Sequence, residues 1–280
     1  MATSPPLSKR RLSRILRERR EASGLTADQV VERARELGVP AKLSPSTITR
    51  MERNEWLRPK FEVVEALLRV YDIGSPERDE IMQLVREARQ RGWWASYTDV
   101  LGKGTLTGLL PGASRVREVT IGVLPGLLQT EGYARAVILG GGITDAAEID
   151  RRIEARMLRQ QVLTAEEAPT YWAIIDEAAL RKIPSDLREA QVSQLIDVQR
   201  PNLRVQVLPD AAGLHAAVAG GFTLLDFDGD PGLAYSENAV RQWVTDDAGE
   251  IAVYDLVYQY VSASALGVQE STSFLERLIT

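Results

Sequence analysis

The chain has 280 residues, 26% of them charged and 44% hydrophobic, with no cysteine and a single histidine, His215. No run approaches the roughly 20 apolar residues that span a bilayer, and no apolar segment follows the basic N-terminus, so we expect neither a membrane span nor a secretory signal. The missing cysteines and the single histidine exclude most zinc sites, a cysteine nucleophile and most serine triads. We therefore expect a cytoplasmic protein that is not an enzyme and that carries no metal and no cofactor.

The charge is unevenly distributed along the chain. Residues 1–60 hold 14 Lys/Arg and 7 Asp/Glu, whereas the remaining 220 residues carry a net charge of −12. A basic end on an acidic protein predicts a polyanionic partner for that end alone. Residues 1–10 contain two prolines and are predicted to form a disordered, solvated arm.

Residues 11–74 show the pattern of four short helices. The first has apolar residues at helical spacing and ends at Ser23-Gly24. In the second, Thr26 and Gln29 form the pattern of a capping box, and Gly38 and Pro40 end the helix. The third has Ser44 as its N-cap and Pro45 at its first position. The inward-facing residues of the four helices are Leu12, Ile15, Leu16, Val30, Val31, Ala34, Leu37, Ile48, Met51, Val63, Val64, Leu67 and Leu68.

A charged helix over residues 75–92 is predicted to connect this domain to a second one, residues 93–280. The second domain shows strand-like runs at 171–175, 203–208, 222–227 and 233–235, with a further candidate at 241–244. Helical runs lie at 130–139, 146–163, 187–198, 250–261 and 271–279, whereas residues 113–121 suit either element. Helices and strands do not alternate strictly, which favours an α+β domain with a mixed or antiparallel sheet.

The third helix has the composition of a helix that enters the major groove of DNA. Its outward residues are small and polar or basic, and arginine can bind guanine in a bidentate manner. These residues are Ser46, Thr47, Thr49, Arg50 and Arg53. Nearby cations would add affinity that does not depend on sequence, and they are Arg10, Arg11, Lys42, Arg58 and Lys60. The alternative from pattern alone is a small helical bundle with a solvated third helix.

Two segments resemble Xre-type helix-turn-helix regulators, which are related to phage repressors. Residues 16–26 read LRERREASGLT, and residues 44–52 read SPSTITRME. The resemblance implies a phage-repressor-like all-α fold in which Pro45, Ser46, Thr49 and Arg50 face the bases. It also implies an ion pair between Arg20 and Glu52. One departure is the turn between the second and third helices, which is lengthened through residues 38–43.

The resemblance covers the rest of the chain as well. The matching blocks are RGWW at 91–94, YTDVL at 97–101, LPGLLQTEGYAR at 124–135, IIDEAALR at 174–181, VQVLP at 205–209, GLH at 213–215 and FTL at 222–224. Together they resemble an actinobacterial group of antitoxin-like Xre regulators with a C-terminal domain of poorly known function. The genes of that group often neighbour one for a small partner protein. A second departure is Val119-Thr120, where the group usually has a Tyr-Glu pair.

For the second domain the sequence leaves two main roles open, and a third role, that of an enzyme, has no recognisable acid/base or nucleophile pattern to support it. It could form a homodimer, with a stripe of Tyr254, Val257, Tyr258 and Val261 as interface, although that stripe also suits a core. It could instead sense a small-molecule effector or a partner protein, and the candidate residues are Leu124, Gln129, Thr130, Tyr133 and His215. The block at 124–133 also suits a packed helix start, and a lone histidine is more often structural.

The sequence thus predicts a dimeric, sequence-specific transcriptional regulator that binds a pseudo-palindromic operator in double-stranded DNA. When bound to DNA it would be associated with the nucleoid. The alternative is an antitoxin-like module whose main role is to bind a small partner protein.

Overall fold

In the computed structural model, which describes residues 4–39, 42–102, 104–238 and 240–280, the chain divides into two units, Met1–Ala95 and Ser96–Thr280. The described part of the first unit contains the helices α1 (Pro5–Ala22), α2 (Ala27–Glu36), α3 (Pro45–Glu52), α4 (Phe61–Val70) and α5 (Glu77–Ala88). A short 3-10 helix, Trp93–Ser96, follows α5. Across the described residues, no helix is long and apolar enough to cross a membrane.

The predicted helix starts are confirmed. The Gln29 amide donates to Thr26 Oγ1 at 3.3 Å, and the Thr26 amide donates to Gln29 Oε1 at 2.8 Å, which completes the capping box. At the start of α3 the Thr47 amide donates to Ser44 Oγ at 3.2 Å. Gly38, at a φ of +64°, follows the end of α2. These features form wherever the local sequence permits them, because each satisfies backbone groups that a helix end leaves unpaired.

The arm predicted for residues 1–10 is wrong from Pro5 onward, and residues 1–3 lie outside the described part. Ser4 caps α1, since its Oγ accepts from the Leu7 amide at 3.3 Å, and Pro5 occupies the first helical position. Leu7 is buried, and Lys9 Nζ donates to the Trp56 carbonyl at 2.7 Å. Proline stabilises the first turn of a helix because its missing N–H is not needed there. The serine and prolines therefore mark a helix start.

The predicted connecting helix is also wrong in its role, because α5 belongs to the core of the helical unit. Ile81 and Val85 of α5 are buried in the same cluster as Leu12 and Leu16 of α1. The other buried members of that cluster are Val30, Val31, Ala34, Ile48, Met51, Trp56, Val63, Val64, Leu67, Leu68 and Val70. Charged and polar residues cover the outer face of α5, and this charged pattern led to the prediction of a connecting helix.

The second unit combines a six-stranded sheet with helices. Its strands are β1 (Arg115–Thr120), β2 (Thr170–Asp176), β3 (Leu203–Leu208), β4 (Phe222–Phe227), β5 (Asp230–Glu237) and β6 (Gln242–Thr245). Its helices, within the described residues, are α6 (Thr98–Leu101), α7 (Thr105–Leu109), α8 (Glu131–Gly140), α9 (Ala146–Gln160), α10 (Glu177–Arg181), α11 (Ser185–Asp197), α12 (Ala248–Ser264) and α13 (Val268–Arg277).

The strand order is β3-β2-β1-β4-β5-β6. The pairs of β1 with β2 and β2 with β3 are parallel, whereas β1 with β4, β4 with β5 and β5 with β6 are antiparallel. The predicted α+β domain is therefore confirmed, and of the two sheet types that the sequence left open, mixed or antiparallel, the sheet is mixed. The segment at 113–121, which the sequence left open, provides the strand at which the parallel part meets the antiparallel part.

The two faces of the sheet differ in chemistry, because successive strand residues point to opposite sides. Val119 and Phe222 lie in an apolar cluster with Tyr258 and Val261 of α12. The stripe that the sequence offered as an interface is thus core at these two positions. Glu118 lies on the opposite face of β1 from Val119, and there Tyr171 of β2 donates a hydrogen bond to its carboxylate.

Candidate functional site

Helix α3 presents one buried and one polar face, as expected of a recognition helix. Ile48 and Met51 are almost fully buried. Ser46, Arg50 and Arg53 are exposed, whereas Pro45, Thr47 and Thr49 are half-buried. Five of the six predicted residues thus lie in α3 and the sixth, Arg53, is its C-cap, and three of the six are open to solvent.

Local hydrogen bonds order the hydroxyl groups of this helix. Ser44 Oγ lies 3.0 Å from Ser46 Oγ and 2.8 Å from Thr47 Oγ1. Thr49 donates its hydroxyl proton to the Pro45 carbonyl at 3.0 Å. Because that proton is used within the helix, Thr49 can offer a partner an acceptor oxygen and its methyl group. Such a side chain suits the methyl of thymine or an amino group on a base edge.

A cationic cleft of about 400 Å³ adjoins α3. Its floor includes Met51, Trp56 and Val63, and its exposed basic residues are Lys42, Arg50, Arg58 and Lys60. None of its lining residues in the described part of the chain is acidic. A concentration of positive charge without a protein counterion attracts a polyanion such as a phosphodiester backbone.

Arg58 is partly engaged within the helical unit. Its Nη2 donates to the Arg89 carbonyl at 2.9 Å, so this guanidinium is held in place on the cleft wall. Lys42 is exposed and comes just after residues 40 and 41. Those two positions fall in the lengthened turn and lie outside the described residues. Helix α2 ends before the turn at Glu36, and α3 begins after it at Pro45.

The ion pair implied by the resemblance is present. Arg20 Nε donates to Glu52 Oε1 at 2.7 Å, and Nη2 donates to Oε2 at 2.9 Å. A third hydrogen bond joins Arg20 Nη1 to the Leu25 carbonyl at 3.1 Å. The hydrogen bond to Glu52 raises the pKa of Arg20 above its ordinary value. This bidentate pair fixes the C-terminal end of α3 to α1.

The sequence reasoning missed Trp56, which anchors the loop after α3. Its side chain is 9% exposed, and Nε1 donates to Ser13 Oγ at 3.0 Å. The next residue, Leu57, is 95% exposed and lines the cleft. A tryptophan four residues after a short predicted helix is a signal for such an anchor. The sequence does not indicate which helix the tryptophan contacts.

The residues predicted to bind a ligand in the second unit divide into two groups. Leu124 and Gln129 line a second cavity of about 400 Å³. Thr130 caps α8 through the Tyr133 amide, and the Tyr133 hydroxyl accepts from the Leu124 amide at 3.3 Å. Thr130 and Tyr133 therefore have structural roles at the start of α8, as the alternative interpretation expected.

His215 lies apart from that cavity. Its Nε2 is 3.2 Å from Asp176 Oδ2, and both side chains are nearly buried. Asp176 also caps α10, since its Oδ1 accepts from the Ala178 amide at 2.8 Å. His215 is not among the residues that line the cavity. The structure thus does not bring together the five residues proposed as one ligand site.

The cavity lies between one face of the sheet and α9. Glu118, Thr223 and Tyr235 line it from the strands, and Arg156 and Arg159 line it from the helix. Burial, followed by the charge of Arg159, lowers the pKa of Arg156 to about 10. Burial raises the pKa of Glu118 above its ordinary value. Of the cavity's lining, the sequence pointed only to Leu124 and Gln129; the two arginines and Glu118 were missed, because they come from segments far apart in the chain.

Comparison with known families agrees with the division into two units. A family described as a helix-turn-helix domain matches residues 11–81. A family described as a domain of unknown function (DUF5753) matches residues 104–277, which is more than half of the chain. No curated protein and no solved structure matches the chain. The helix-turn-helix match supports DNA binding by the first unit. The chain therefore belongs to the DUF5753 family and carries a helix-turn-helix domain at its N-terminal end.

Proposed function

We propose that the protein is a sequence-specific transcriptional regulator of the Xre type that places α3 in the major groove of an operator. The observation that carries this proposal is the juxtaposition of the exposed face of α3 with a cleft that has four basic residues and no acidic one among its described lining residues. The helix supplies groups that read base edges, and the cleft supplies charge for the phosphates.

Most of the predicted residues then have a role at the DNA. Arg50 is exposed and long enough to bind guanine, and Ser46 and Thr49 contact neighbouring base edges. Lys42, Arg58 and Lys60 neutralise phosphates, as does Arg53, which is exposed at the C-cap of α3. Binding to DNA would place the protein in the cytoplasm, at the nucleoid.

The test is binding to fragments selected from genomic DNA, with one matched pair of variants. Arg50→Ala should weaken the specific complex by about 1–3 kcal/mol and relax the preference at one base pair. Arg69→Ala removes an exposed arginine that does not line the cleft. It should leave the affinity of the specific complex and the base-pair preference unchanged. Equal losses from the two variants, or no specific fragment at all, would contradict the proposal.

We also propose that the regulator binds as a dimer through α12. Val253, Leu256 and Tyr260 form an apolar stripe on this helix, and each is at least half exposed. The charged residues of α12 are Glu250, at the start of the helix, and Asp255, which is 35% exposed and pairs with Arg117 at 2.5 Å. The stripe itself therefore carries no charge. An uncharged face can meet its own copy without like-charge repulsion, as the two-fold symmetry of most dimers requires. A dimer suits half-sites about 34 Å apart.

The oligomeric state tests this second proposal. Leu256→Glu should convert a dimer to a monomer in light scattering, because it places a charge against its own copy. Gln259→Glu is the matched control, since it adds the same charge at a neighbouring exposed position beside the stripe. A monomeric wild-type chain would contradict dimerisation. Co-purification of a small protein with that monomer would favour the antitoxin-like alternative for the same face.

A further inference from the structure

Two half-buried arginines, Arg156 and Arg159, line the cavity in the second unit, and neither forms an ion pair with a residue that the structure describes. Arg156 and Arg159 are three residues apart on α9, so both side chains lie on one face of the helix. Arg156 Nη1 donates to Gln129 Oε1, a neutral oxygen, at 2.6 Å. Among the described residues no carboxylate is within 4 Å of either guanidinium. Even partial burial of a charge without an ion-pair partner is costly, and an anion between the two guanidinium groups would reduce that cost.

Two polar atoms at this site lack hydrogen-bond partners. Arg159 Nε and Thr120 Oγ1 are both buried, and neither meets a partner within the part of the chain that the structure describes. Most buried polar atoms in folded proteins are paired, so an orphaned donor beside a cavity indicates a group that the chain itself does not supply.

The acidic residues of the cavity are already engaged by tyrosines. Tyr171 donates its hydroxyl to Glu118, and Tyr235 donates its hydroxyl to Glu237. Glu237 still acts on the charge of Arg156, and Arg159 acts on that of Glu118, but among the described residues neither carboxylate lies within 4 Å of a guanidinium.

The sequence block at 124–129 is built around the same arginines. A Cβ at Gly126 would lie 2.2 Å from Arg159 Nη2, so only glycine leaves room for the guanidinium. Gln129 Nε2 donates to the Leu124 carbonyl at 2.7 Å while its oxygen accepts from Arg156. Gln160 Nε2 donates to the carbonyls of Gly126 and Gln129, at 3.0 and 2.8 Å. The block thus holds the cavity wall at a fixed distance from α9.

We propose that this cavity binds a small organic anion whose carboxylate or phosphate group lies between Arg156 and Arg159. The apolar part of the ligand would contact Leu106, Leu124 and Val137, which line the same cavity. Its volume of about 400 Å³ is in the range of small-molecule sites. This proposal does not rest on DNA binding, because the site lies wholly in the second unit and its occupancy can be measured directly.

Isothermal titration of the full chain with hexanoate, hexyl phosphate and hexan-1-ol tests the proposal. At least one of the two anions should bind with one ligand per chain, whereas the neutral alcohol of equal length should not. Preference for one anion identifies the headgroup. Arg159→Gln should weaken binding about tenfold or more, because it removes a charged hydrogen bond. Arg152→Gln is the matched control on the same helix, where Arg152 pairs with Glu148 at 2.8 Å.

Gly126→Ala provides a second variant that removes no charge. The added methyl would displace the flexible end of Arg159 without a backbone clash, so the unit should fold while the affinity falls. Circular dichroism checks the fold of each variant. The proposal is overturned if neither anion binds the wild-type chain, or if Arg159→Gln and Gly126→Ala bind as tightly as Arg152→Gln.

Discussion

Replacing Glu52 with alanine would leave the guanidinium of Arg20 without its bidentate partner. Arg20 is 19% exposed and Glu52 is 9% exposed, so the pair is mostly shielded from solvent. Hydrogen bonds to charged groups contribute about 1.5–3 kcal/mol each, and one-sided loss of a fully buried ion pair costs about 3–5 kcal/mol. Arg20 keeps its hydrogen bond to the Leu25 carbonyl and some access to water. We therefore expect a loss of about 3 kcal/mol in the free energy of unfolding.

The loss should be local to the contact between α3 and α1, and native-state hydrogen exchange measures it there. A change of about 3 kcal/mol corresponds to roughly a hundredfold decrease in the protection of the α3 amides. Operator affinity should fall too, because α3 is then less firmly held for the groove. In the double variant Arg20→Met with Glu52→Met, about 1–2 kcal/mol should return, since no charge remains buried without a partner.

Glu32→Ala is the control for this experiment, because Glu32 is an exposed glutamate on α2. Its effect should stay within about 0.5 kcal/mol, as for most surface substitutions. If Glu52→Ala costs no more than Glu32→Ala, the pair does not fix α3 and the reasoning is refuted.

Three further predictions concern the corrected or unexpected parts of the fold. Val85→Ala should destabilise the helical unit by about 1–3 kcal/mol in calorimetry, since it leaves a cavity in the shared core; a neutral result would return α5 to the role of a linker. Gly221→Ala should destabilise the second unit, because the new Cβ would lie 2.5 Å from the Val119 carbonyl oxygen; unchanged melting would contradict that close approach. Glu118 has a folded-state pKa above its unfolded value, so its contribution to stability is full at acidic pH and is lost as the pH rises through the folded pKa. Glu118→Gln should therefore gain stability relative to the wild type at neutral pH and not at acidic pH, and a pH-independent difference between the two melting profiles would contradict this assignment.

Much of the helical unit was predictable because its signals are local. Thr26 with Gln29, and Ser44 with Pro45, act within one turn of the chain, so they define the helix starts before any tertiary contact forms. The apolar spacing then determines which face of each helix is buried. The exposed face of α3 follows from the same periodicity, so the prediction that Arg50 lies on the surface is confirmed.

The errors arose where a local pattern had two physical outcomes. A serine followed by two prolines occurs in solvated arms and also at helix starts, and burial of Leu7 selects the second. A charged segment with one apolar stripe occurs in linkers and also in outer helices of a bundle, and the position of Ile81 in the core selects the second. In both cases the outcome depends on contacts with residues far along the chain.

The sequence by itself determined the two-part organisation, the helix-turn-helix unit and the α+β class of the second unit, and it left a mixed or an antiparallel sheet open. Only the tertiary structure decided that residues 115–120 form a strand inside the sheet. It also decided that Glu118 lines the same cavity as Arg156 and Arg159. Side-chain periodicity records which residues are buried, but it does not record which distant segments face each other. The arginine-lined cavity is made of such long-range neighbours, so it exists as a site only after the chain has folded.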